Sequence, residues 1–159
     1  MNACPGAVKW VGNKTIKGAW NQCNRGDWML WLLEMLRWDR KVLASIACDC
    51  AERVLHLVLE GEDHSRKAIE TRRAWVRGEA TEEDCRKAAR AVDDGAGVAA
   101  YAARSAAYAA AWSTSWAAWA ASWVARVALD AEGAERKAQA DIIRRYVTWQ
   151  EVRDALEAA

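Results

Sequence analysis

Apolar residues recur every three or four positions along most of the chain, and polar caps and glycines cut that pattern into helices. Residues 1–14, with Pro5, Gly6 and Gly12, read as a loop. Thr15 suits the cap of a short helix over about 16–23. NRGD (24–27) reads as a turn in which Asp27 serves as an N-cap, and WMLWLLEMLRW (28–38) follows as a strongly apolar helix. Asp39 opens a helix that the pattern carries to Gly61, in a C′ position. EDHS (62–65) leads into a helix over about 65–77, stopped by Gly78. Thr81 and the acids of TEED (81–84) begin another, which runs to about Asp94 before Gly95 and Gly97 break it. A long helix is expected over about 98–131, then a bend at Gly133. A helix over about 134–147 carries Ile142, Ile143 and Tyr146, and the capping box TWQE (148–151) opens a last one. No segment reads as a strand. The expected fold is all-α, one domain over 1–159 with about seven helices around a long Ala/Trp-rich central helix.

That central segment has its own period. Tyr101, Ser105, Tyr108, Trp112, Trp116, Trp119 and Trp123 are spaced by a mean of about 3.67 residues, close to a straight helix, so they hold one face for over twenty residues. Residues 105–125 carry no charge, which is about the length of a membrane span. Alanine is a marginal hydrophobe, however, and Ser105, Ser113, Thr114, Ser115 and Ser122 dilute the segment further. The tryptophans also run along the middle instead of forming belts at the two ends. A core helix of a soluble bundle is the better reading, and no membrane is expected as a partner. A stripe partly open in a cleft or subunit interface is the alternative.

Composition narrows the classes. The 159 residues hold 23 basic and 22 acidic side chains, a balance that argues against a general nucleic-acid binder. Ala, Leu, Arg, Lys and Glu favour helices, and eleven tryptophans with no phenylalanine supply most of the aromatic bulk. Five cysteines, an odd number without a regular framework, and no leader-like N-terminus point to a reducing, cytoplasmic setting.

Few segments carry candidate chemistry. In RGDW (25–28), Arg25 and Asp27 flank a glycine and can face one cleft beside Trp28 and Trp31, as an ion pair or as a ligand site. CDCAER (48–53) places two cysteines two apart, off a shared helical face, and lacks the spacing of a zinc site. No metal, cofactor or cysteine nucleophile is expected. On the charged helix 61–79, Glu70 has ion-pair spacing to Arg66 and Arg73. Arg66, Arg73 and Arg77 share a face, with Arg72 beside it. This is either a solvated face or a row suited to phosphate. Arg104 and Arg126 are the only charges in residues 96–129, and each needs an anion from the fold or from a ligand. Trp112 and Trp116 stand between them as candidate stacking surfaces. No P-loop, glycine-rich nucleotide fingerprint or HExxH is present, so no enzymatic activity is expected.

AWNQCNRGDWMLWLL (19–33), ACDCAER (47–53), GEDHSRKAIETRRAW (61–75) and the Ala-rich aromatic helix together resemble the all-helical immunity protein 5 family. Proteins of that kind occur in bacterial polymorphic-toxin loci, phages and prophages. The resemblance implies an all-α fold and a non-catalytic role in biological conflict. Its matching positions are Arg25, Gly26, Asp27, Trp28, Glu62, Asp63, Ile69 and Glu70, and His64 stands where a more basic residue is expected. Two functions follow. The expected one, which the Trp and Arg content and the lone Arg104 and Arg126 favour, is a protein that sequesters a nucleotide-derived immune signal, by indole stacking and arginine–phosphate contacts, in a homo-oligomer. The family resemblance favours an immunity protein that covers a toxin's active site.

Overall fold

The computed structural model describes residues 4–53, 55–57, 63–92 and 132–159. The chain is an all-α bundle, with eight α-helices, one 3-10 turn and no strand among the described residues. The first helix, α1 (Pro5–Val11), lies where a loop was expected. Proline breaks a helix interior but suits the first helical position, where its missing N–H has no partner to lose. Helix α2 (Ile16–Gln22) starts as its cap predicts, with the Thr15 hydroxyl accepting from the Gly18 amide at 3.0 Å.

Helix α3 (Gly26–Met35) begins before Asp27, so Asp27 is not its cap. The cap position is Arg25, which makes no side-chain cap bond. The Asp27 carboxylate, inside the first turn, binds the Arg25 guanidinium instead. At the other end Trp38 N–H donates to the Leu33 carbonyl and Arg37 N–H to that of Glu34. This six-residue closure needs a left-handed residue, and Arg37 supplies it at φ 54°.

Helix α4 (Arg40–Glu52) is capped by Asp39, which accepts from the amides of Lys41 and Val42 at 2.8 and 3.0 Å. It stops at Glu52, well short of Gly61, and Leu55–Leu57 forms the 3-10 turn. No breaker lies between these points in the sequence, so propensity alone does not mark this boundary. Helix α5 (His64–Arg77) ends on Gly78 at φ 82°. Capping boxes Thr81–Asp84 and Thr148–Glu151 open α6 (Glu82–Ala91) and α8 (Trp149–Glu157). Gly133 lies inside the first turn of α7 (Glu132–Tyr146), not at a bend before it. The expected central helix over 98–131 lies outside the described residues.

Helix α4 packs against both α5 and α7; α3 packs on α7, α6 on α5, and α8 on α2. Leu30 and Leu33 from α3, Ile46 from α4, Ile69 from α5, Ile143 from α7 and Val152 from α8 share one core. Cover on two sides buries Cys48 and Cys50 together, although their spacing turns them apart. No described helix is long and apolar enough to cross a membrane.

Candidate functional site

The start of α3 is fixed by a close backbone approach. A Cβ at Gly26 would sit 2.8 Å from the Gln139 Cβ, so only glycine lets α3 rest on α7 there. That contact sets Arg25 and Asp27 side by side. Arg25 Nε and Nη2 donate to the two carboxylate oxygens of Asp27 at 2.8 and 2.6 Å. The hydrogen bond that Arg25 donates to Asp27 raises the Arg25 pKa. The same guanidinium lies 4.5 Å from the Trp28 ring centre, Trp28 meets Trp10 at 5.8 Å, and the Lys14 ammonium lies 4.5 Å over Trp10. The result is a pair of neighbouring indoles with a cation against each outer ring, and it clamps α1 to α3. Trp31 is half-buried on α3.

A second polar group joins α4, α5 and α7. Asp49 accepts from Arg73 Nη2 at 2.7 Å and from the Tyr146 hydroxyl at 2.9 Å. Arg73 also donates to Glu52, through Nε at 3.0 Å. Burial lowers the Arg73 pKa, but its bonds to Glu52 and Asp49 outweigh that and leave it raised. Burial, reinforced by the bond to Asp49, pushes the Tyr146 phenol up to about 12. One turn further along α4, Arg53 binds Glu135 of α7 in a fork at 2.8–3.0 Å. Asp141 is held below the usual carboxylate range by the hydrogen bond from Lys137. Between these pairs runs an open groove of about 590 Å³, lined by Asp49, Glu52, Arg53, Asp141 and Arg145 with Ala138 and Ile142 as its apolar part. Arg144, beside it, donates to the carbonyls of Trp20 and Cys23 and so ties the end of α2 to α7.

The expected row on α5 is split three ways. Arg73 turns to α4, and Arg77 pairs with Glu79 at 2.7 Å. Arg72 is fully buried, its guanidinium 3.8 Å from the Trp75 ring centre. Arg66 and Glu70 are exposed, and the carboxylates that take Arg73 are those of α4 rather than Glu70. Arg25, Asp27 and Trp28 therefore share one place and Arg73 belongs to another. Arg104, Trp112, Trp116 and Glu62 lie outside the described residues. Asp49, Glu52, Arg145 and Tyr146 were not singled out from sequence. The signal was the i, i+3, i+4 spacing of Asp49, Glu52 and Arg53 inside CDCAER, a segment that drew attention for its cysteines.

The cysteines are free thiols. Burial pushes Cys48 up to about 12 and raises Cys50 as well. Thiols that resist ionisation in this way are poor nucleophiles and poor metal ligands. No cluster suited to a metal ion occurs among the described residues.

The described residues thus form an all-helical framework with interhelical ion pairs along an open groove. The chain belongs to a family described as "Imm-5 like putative immunity protein", whose model matches residues 34–153. The matched span contains α4 to α7 and the groove. RGDW, α1 and α2 precede it. No curated protein matches the chain, and no solved structure does. Membership supports an immunity-type role.

Proposed function

We propose that the chain is a non-catalytic immunity protein that neutralises a toxin by binding it directly, with the α4–α7 groove as part of the contact. The observation that carries this reading is the state of the groove's charges. Asp49, Glu52 and Arg53 are each held by a partner on another helix, so the charge pattern is set before any partner arrives. Preorganised charge at an open surface favours recognition of another protein surface. Sequestration of a nucleotide-derived signal is the second reading. It asks Arg25 to leave Asp27 and Arg73 to leave Asp49 and Glu52 before either binds phosphate. Competing carboxylates at 2.6–2.9 Å oppose that exchange.

Co-production with toxin domains from the same locus tests the proposal. Rescue of growth, with a stoichiometric complex on size exclusion that leaves the toxin chemically intact, is the expected result. No rescue and no complex, with a panel of cyclic nucleotides and ADP-ribose derivatives shifting tryptophan emission and Tm, would overturn it in favour of sequestration. The same column reads whether the free chain is a homo-oligomer.

A further inference from the structure

The first 26 residues carry Lys9, Lys14, Lys17 and Arg25 and no acid, although the chain as a whole is nearly neutral. The rest of the chain therefore holds an excess of three acids. Arg25 is spent on Asp27, whereas no carboxylate among the described residues pairs with Lys9, Lys14 or Lys17. All three lysines are exposed. The same short stretch holds three of the four large apolar side chains exposed among the described residues, Val8 at 59%, Val11 at 37% and Ile16 at 57%. Helix α1 buries none of its residues fully.

This face is nonetheless firmly placed. Trp10 packs at a tilt on Trp28, and Gly6 lies against the edge of the Trp28 indole. Helix α2 is anchored by buried Trp20 and by Arg144 on the carbonyls of Trp20 and Cys23. The firmly held helices α1 and α2 thus show valine and isoleucine beside Lys9 and Lys17, which no carboxylate among the described residues pairs.

We infer that the α1–α2 face docks an acidic protein surface, one that places an apolar side chain against Val8, Val11 and Ile16 and carboxylates against Lys9 and Lys17. The inference rests on the immunity reading and names its partner's chemistry, an acidic face of the toxin. Charge complementarity carries the choice of occupant. An anionic membrane also attracts lysines, but membrane-lying helices turn their indoles outward into the lipid boundary. Here Trp10 and Trp28 pack on each other at a tilt and hold Lys14 and Arg25 against their rings.

The test is titration calorimetry of the full chain against the toxin that its co-production rescues. Lys9→Glu/Lys17→Glu is compared with Lys67→Glu/Lys87→Glu, an equal charge change on the exposed faces of α5 and α6. The first pair weakens binding by about tenfold or more and flattens its salt dependence, and the control stays within about twofold. Val8→Ser/Ile16→Ser weakens binding with Tm unchanged, since neither residue is buried. Equal effects of the two charge reversals overturn the surface and leave the immunity reading standing. Where no toxin binds, an alternating Glu–Leu peptide is the probe. Uptake lost in Lys9→Glu/Lys17→Glu keeps the surface and removes the immunity reading, whereas no uptake removes both. Binding of the wild type to phosphatidylserine vesicles but not to toxin or peptide makes a membrane the occupant and overturns the inference.

Discussion

Alanine at position 26 puts a number on the contact between α3 and α7. Its Cβ would lie 2.8 Å from the Gln139 Cβ and 3.4 Å from Gln139 Oε1. Carbons in contact sit about 3.5–4.0 Å apart, so one helix must shift by roughly 1 Å. The obstructing atom is itself a Cβ, which no rotamer change removes. Overpacking of this kind costs about 1–3 kcal/mol. The better helix propensity of alanine returns at most about 1 kcal/mol, and less in a first turn. The expected net loss is about 1–2 kcal/mol, which in a chain of this size lowers Tm by roughly 2–8 °C. Gly133, in the first turn of α7, is the matched control, since nothing among the described residues lies within 4 Å of a Cβ built there. Gly133→Ala should be neutral or stabilising by up to about 1 kcal/mol. Urea unfolding of both variants reads the difference. Adding Gln139→Gly to Gly26→Ala removes the collision, so the pair should cost less than the sum of the singles. A Gly26→Ala protein as stable as the wild type, or fully additive penalties, would refute the reasoning.

Three further outcomes follow from the same structure. Arg37 holds a left-handed conformation that glycine adopts without a steric cost, so Arg37→Gly should stabilise the chain by about 1 kcal/mol, read as a higher urea midpoint at an unchanged slope. Burial lowers the pKa of Arg72, and its guanidinium nitrogens are buried with no hydrogen bond of normal geometry among the described residues, the Cys85 thiol being only a weak partner beside them. Arg72→Met should therefore raise Tm, because a desolvation cost of about 1–3 kcal/mol outweighs the lost contact with Trp75; a lower Tm counts against it. Tyr146 titrates near 12 in the folded chain against 10 in the unfolded one. Below pH 10 the phenol is neutral in both states, so its contribution is fully present there. It is lost as the pH climbs from 10 towards 12, because the unfolded phenol ionises first. The Tm of Tyr146→Phe should fall less steeply across that window, and parallel curves would remove the basis for the shift.

What could be read from the sequence was local. Asp39, Thr81 and Thr148 are caps because each side chain reaches an amide two or three residues ahead, a relation that spacing alone reveals. Pro5 was weighed as a breaker when its position at the start of α1 makes it a helix opener. Arg25 and Asp27 were seen to be close, and an ion pair was one of the two outcomes given for them. Arg73 was not predictable in this way. Helical spacing offered it Glu70 on its own helix, and only the packing of α4 on α5 brings Asp49 and Glu52 to it instead. The need for glycine at position 26 was equally hidden, since its cause lies on α7, over a hundred residues away.

The same packing accounts for where the chain keeps unpaired charge. Interhelical contact consumes carboxylates: Asp49 and Glu52 for Arg73, Glu135 for Arg53, Asp27 for Arg25 within its own turn. Pairs of this kind orient helices and fix a charge pattern, and they add little attraction for an incoming surface because each charge is already answered. Long-range steering needs charge without a local counter-ion. Among the described residues, Lys9 and Lys17 meet that condition, on a stretch without acids that precedes the family-matched span. A toxin approaching this chain would be drawn by that face and would read the groove on contact. Raising ionic strength should then slow association more than it speeds dissociation, since salt screens the open lysines and leaves the groove's close pairs largely intact.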